Sequence, residues 1–169
     1  MKHKTFQFNS NTITANIKMC VYGSVLVSSM LSPMVQADDF SSSYQAYQQA
    51  VAAKDSKQTL VFAQQAYDLG KVSFGENHID TAKLLMNLAN AQRNSGDKVS
   101  ASQNYNKVLA SYQAHYGDDS IEVLDPMLLA AESTTNDKKS QALFEDAIDV
   151  AKSLNDPLVL AEVYTAAFK

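Results

Sequence analysis

Cysteine is nearly absent from this chain: Cys20 stands alone, and it lies in an apolar stretch near the N-terminus. Disulfide frameworks, cysteine metal clusters and thiol catalysis are thereby excluded from the remainder. Basic residues are also scarce. Three of the 14, Lys2, Lys4 and Lys18, fall in the first 37 residues, where none of the 18 acidic residues lies, so residues 38–169 carry a net charge of −7. That balance argues against a nucleic-acid groove or a polybasic membrane patch. Beyond residue 37 only Gly70, Gly75, Gly96 and Gly117 and the prolines Pro126 and Pro157 punctuate the chain. No run of alternating β-branched residues between turn signals is found, so strands are not expected.

The N-terminal region has the order of an export signal: lysines, the apolar stretch from Met19 to Leu31, then the small-residue site Val35-Gln36-Ala37. The apolar stretch is 13 residues long, whereas a bilayer crossing needs ~20. An uncleaved anchor and a core helix are the alternatives, and Pro33, two residues after the stretch, argues against the second. The residues before Cys20, Ile17-Lys18-Met19, do not make a lipid-attachment site. The expectation is therefore a signal peptide over 1–37, cut near Ala37, and one domain over 38–169 in a periplasmic or secreted setting.

The domain repeats itself. Ser73-Phe74-Gly75-Glu76-Asn77-His78-Ile79-Asp80 aligns with His115-Tyr116-Gly117-Asp118-Asp119-Ser120-Ile121-Glu122, an offset of 42, and Tyr105, Val108 and Leu109 recur 39 residues later as Phe144, Ala147 and Ile148. Within each unit apolar residues fall at three- and four-residue intervals, as in Leu84, Leu85, Leu88, Ala89 and Ala91. Gly96-Asp97 reads as the end of one helix and the cap of the next, and Asp156-Pro157 as cap and first helical position. The spacing predicts seven helices, at about 39–53, 56–74, 79–95, 97–116, 119–133, 137–154 and 157–168. Pro126 inside the fifth predicts a kink or a restart with Asp125 as cap. An ordinary helical bundle is the plainer alternative, and the matching of the turns position by position speaks against it.

The residues Leu85, Leu88-Ala89, Gly96, Ala101, Tyr105 and Val108 are similar in type and spacing to a tetratricopeptide repeat (TPR). The 42-residue period and the aromatic-Gly turns resemble the long-helix variety of kinesin light chains and many bacterial proteins. The match is good over 79–117, fair over 118–155 and weak over 40–75. Gln92 stands where the pattern has tyrosine, and Ser140 where it has alanine. The resemblance implies an all-α, right-handed solenoid of antiparallel helix hairpins, about three repeats plus a final helix. It also implies a concave groove that binds extended peptides or helices of other proteins, without catalysis.

Little in the chain suggests chemistry. His78 and His115 sit in separate turns without ligand partners at metal spacing, no Gly-x-Ser-x-Gly elbow or phosphate loop occurs, and Asp118-Asp119 and Glu145-Asp146 read as solvated charges. Neither a metal nor a cofactor is expected. One polar pattern stands out. Lys83, Asn87, Asn90 and Asn94 follow spacings of four, three and four, so they share one helix face. Asparagine is a poor interior helix former, and three on one face cost helical propensity. An amide carries donors and an acceptor and suits a peptide backbone of any sequence. In the resembled family these places, with Arg93 beside them, clamp the main chain of the ligand. The same strip also reads as an ordinary solvated face. Gln45 and Gln48 are candidate extensions on the first helix, and Glu122, Asp125 and Glu132 would make the far end acidic. Most tyrosines are expected to pack between helices, with Tyr44 or Tyr47 the candidates for ligand contact.

The last helix is apolar except for Glu162, Thr165 and Lys169. Its apolar side, particularly Val163, Ala167 and Phe168, is expected to need cover, either from a further part of a longer protein or from another subunit. Two functions follow from the sequence. One is a non-catalytic periplasmic adaptor that binds a protein or peptide in its groove. The other is a structural spacer or oligomerisation module of a larger envelope protein, such as the N-terminal part of a TonB-like energy transducer.

Overall fold

The computed structural model describes residues 32–168, with side-chain environments from Asp39 onward. Over that range the chain is all-helical: α1 (Ser32–Ala52), α2 (Ser56–Phe74), α3 (Ile79–Asn94), α4 (Lys98–Tyr116), α5 (Leu124–Ser133), α6 (Asp137–Ser153) and α7 (Pro157–Ala167), with one 3-10 turn at Ile121–Val123. No strand occurs among the described residues. The expected export signal falls almost entirely outside them. α1 starts earlier than the spacing predicts and runs unbroken through Val35-Gln36-Ala37, with Pro33 in its first turn, where the missing N–H is not needed.

Short polar side chains start most of the other helices. Asp55, Asp97, Asn136 and Asp156 each accept from a backbone N–H of the first turn, those of Gln58, Ser100, Lys139 and Leu158, at 2.9–3.0 Å. Accepting from Ser100 holds the Asp97 carboxyl below the usual range. His78 caps α3 in the same manner, its Nδ1 accepting from Asp80 N at 3.2 Å. Helix ends use the left-handed region. Gly75 and Gly117, the two glycines 42 residues apart, have φ of 95° and 93°, and their N–H groups close α2 and α4 on Lys71 and Gln113 at 3.0 and 2.9 Å. Glycine reaches that φ without a Cβ penalty. The sequence repeat at these turns is thus also a repeat of backbone geometry.

The two turns then diverge, and Pro126 is the reason. After Gly75 the chain enters α3 directly at Ile79. After Gly117 it makes the 3-10 turn first, with Val123 N bonding Ser120 O at 3.2 Å and Leu124 N bonding Ile121 O. An α-helix begun at Ile121 would require an N–H from Pro126, which has none. Starting α5 at Leu124 places Pro126, fully buried, in the first turn. The restart expected there occurs, but Asp125 does not cap it: it is exposed within the first turn, and no side chain caps this helix.

Each helix packs mainly on its neighbours in sequence. Phe40, Tyr44, Tyr47, Ala63, Ala66, Leu84, Leu85 and Leu88 make one core between α1, α2 and α3. Leu109, Leu124, Met127, Ala147, Val150 and Val163 make a second between α4 and α7. Ala89, Ala101, Tyr105 and Ala130 join the two. Small residues allow the close approaches. At Gly70 a Cβ would fall on Leu84 Cδ1, so α2 presses its backbone onto α3 there.

Candidate functional site

The strip on α3 is built outward from a buried apolar face. Leu84, Leu85, Leu88, Ala89 and Ala91 are all 5% exposed or less, and they fix the rotation of the helix. Lys83, Asn87, Asn90, Arg93 and Asn94 then form an interrupted polar line with graded burial. Lys83, Asn90 and Arg93 are half-buried and Asn94 is exposed. Asn87 is the exception, at 4% exposure.

Three of these side chains are engaged within the molecule. Lys83 Nζ donates to Asp80 Oδ1 at 3.1 Å, one turn back. Asn90 Oδ1 accepts from the Tyr105 hydroxyl of α4 at 2.7 Å. Arg93 Nη1 reaches Glu132 Oε2 of α5 at 3.3 Å, so the guanidinium is paired with one of the acidic residues expected at the far end. Burial pushes the Tyr105 hydroxyl up to about 12, with smaller opposing influences from Arg93 and Glu132. The phenol therefore stays a neutral donor to Asn90 at physiological pH. Gln92, the residue in place of the pattern's tyrosine, accepts from Asn104 Nδ2 at 2.8 Å and adds a second polar tie between α3 and α4.

Asn87 differs from its neighbours. Its side-chain amide makes no hydrogen bond among the described residues, yet the residue is nearly enclosed. The buried side-chain atoms fully sealed without a partner are Ser120 Oγ and Ser133 Oγ, so the Asn87 amide keeps a solvent path. A donor and acceptor pair held in place at low local dielectric is a strong point for recognising another amide.

The remaining candidates are not gathered here. Gln48 on α1 is half-buried and Gln45 exposed, and no hydrogen bond links either to the α3 strip. Tyr44 and Tyr47 are corrected from ligand contacts to core. They are 7% and 4% exposed, with Tyr44 stacked on Phe40 at 6.1 Å and Tyr47 against Tyr44 at 5.9 Å. Burial, and secondarily Tyr44, pushes the Tyr47 hydroxyl up to about 12. Glu122 is exposed on the approach to α5 and Asp125 in its first turn. The tie to Tyr105 escaped the sequence because helical period gives a face and not what crosses it from fifteen residues away.

Among the described residues no group of three His, Cys, Asp or Glu is placed to hold a metal ion. No described helix is long and apolar enough to cross a membrane. No protein-family model matches the sequence, and no curated protein matches it significantly.

Proposed function

We propose that the chain is a TPR-like adaptor: a right-handed solenoid of helix hairpins whose α3 strip receives an extended segment or a helix of another protein. The observation that carries this reading is Asn87, a nearly enclosed amide with no hydrogen bond among the described residues, on the same helix as the half-buried Lys83 and Arg93. Water reaches this amide in the unbound chain, and a partner's main chain would take the place of that water with the amide already held in position. A spacer gains nothing from that arrangement. In this reading residues 1–37 direct export, the domain acts in the periplasm, and no catalysis is involved.

The test is capture of a protein from an extract of the source cells by the full chain, beside Asn87→Ala and Asn94→Ala variants. Asn87→Ala leaves every described hydrogen bond in place and favours the helix. Adaptor function predicts a partner held by the parent and by Asn94→Ala and lost with Asn87→Ala. Equal capture by all three would move the binding surface elsewhere. The exposed Leu158 and Phe168 on the last helix favour the oligomerisation part of the second reading.

A further inference from the structure

α7 and the residue after it carry the two most exposed large apolar side chains among the described residues. Leu158 is 82% exposed and Phe168, just past the helix end, 78%. Ala161 and Thr165 are exposed between them. These four residues fall at intervals of three, four and three, which makes a narrow stripe. It lies opposite Val163 and Ala166, which are buried in the core shared by α4 to α7. Glu162 flanks the stripe on one side. On the other Tyr164, 39% exposed, stacks on Phe168 at 6.0 Å.

The stripe reads the same in both directions. Leu158 and Phe168 stand equally far from residue 163, and so do Ala161 and Thr165: large, small, small, large. A face of this kind is its own complement when two copies meet antiparallel about a twofold axis level with that residue. Leu158 of each copy then reaches Phe168 of the other. The small pair at the centre lets the helix axes approach to roughly 8 Å. We propose that α7 is a homodimerisation helix that pairs antiparallel with α7 of a second copy through Leu158, Ala161, Thr165 and Phe168.

Charge opposes this pairing: residues 38–169 carry −7, and the twofold sets Glu162 of each copy on the same flank, so the contact rests on its apolar residues and is weakened by the carboxylates beside them. The twofold axis keeps each flank with its own kind, Tyr164 beside Tyr164 and Glu162 facing Glu162. The stripe also runs into an open cleft of about 400 Å³, walled by Phe144, Ile148, Ala167 and Phe168 with Asp137 and Glu145 among its lining residues. Phe144 lies 39 residues beyond Tyr105. Tyr105 is 0% exposed under the following helices, whereas Phe144 is only half-buried. The second copy's Leu158, arriving at Phe168, enters the mouth of that cleft. One pair of short helices buries on the order of 1,000 Å², at the low end for a specific interface, so the dimer is weak and concentration-dependent.

Sedimentation equilibrium of the full chain over ~5 to ~500 µM tests this. The expected result is a monomer–dimer equilibrium that Leu158→Lys weakens at least ~10-fold and that Glu162→Gln tightens a few-fold by removing the facing carboxylates. Both positions are exposed, and unchanged circular dichroism checks the fold. Register is read in a Cys20→Ser background, where mixing Ala161→Cys chains with Thr165→Cys chains should give the mixed disulfide in excess over either homodimer. A concentration-independent monomer overturns the proposal. So does association untouched by Leu158→Lys, or a homodimer cross-link that exceeds the mixed one.

Discussion

The Tyr105 hydroxyl donates to Asn90 Oδ1 at 2.7 Å, tying α4 to α3 across fifteen residues of sequence. Because the phenol is enclosed, its two partners are not equivalent to mutation. Asn90→Ala strands a buried donor and is expected to cost about 1–3 kcal/mol, whereas Tyr105→Phe removes the donor itself and costs about 1 kcal/mol. Adding Tyr105→Phe to Asn90→Ala should recover part of the loss. Urea denaturation of the three variants measures it, and strict additivity would show that the bond contributes nothing in solution.

Alkaline pH should destabilise the protein through its buried tyrosines. Burial pushes the Tyr47 and Tyr105 hydroxyls up to about 12 and Tyr112 further in the same direction. In the unfolded chain a tyrosine ionises near 10. The folded values are the higher, so this stabilisation is complete below about pH 10 and is lost as pH rises through 12, by up to about 3 kcal/mol for each group. Urea midpoints at about pH 8, 10 and 11 should be level and then fall. A flat profile would contradict it.

Gly70→Ala should destabilise the protein although alanine is the better helix former by roughly 1 kcal/mol. The added Cβ falls on Leu84 Cδ1, and Leu84, 1% exposed, has no room to withdraw. A net loss of about 1–3 kcal/mol is expected. Combining it with Leu84→Val should recover some of that loss in thermal melts. Gly70→Ala that raises the melting temperature would count against the close crossing of α2 and α3.

The export reading predicts a mass. Expressed as the full chain in a bacterium, the protein recovered outside the cytoplasm should begin at Asp38. The intact 18.5 kDa chain retained in the cytoplasm would argue against cleavage at Ala37.

The helix ends were legible in the sequence because their chemistry is local. A spacing that predicts 56–74 meets α2 at Ser56–Phe74, and 137–154 meets α6 at Asp137–Ser153, since Asp55, Asn136 and Gly75 act on the backbone beside them. The start of α5 was only half legible. Pro126 announces a break, but the break is resolved by a 3-10 turn whose bonds use no side chain. The α3 face was legible from its period, yet the difference between Asn87 and Asn90 depends on a tyrosine in another helix. The last helix shows the same limit. Val163, expected to lack cover, is 1% exposed against α5 and α6, while Leu158, not singled out, is 82% exposed.

Because each helix rests mainly on its sequence neighbours, most contacts close short loops, and the domain should fold quickly, from whichever hairpin forms first. The same arrangement limits how far damage travels. A lesion in the core of α6 would melt the C-terminal half while Phe40, Tyr44 and Leu84 hold the first three helices together. Amide exchange should then show two protection levels along one chain where a single cooperative unit would show one.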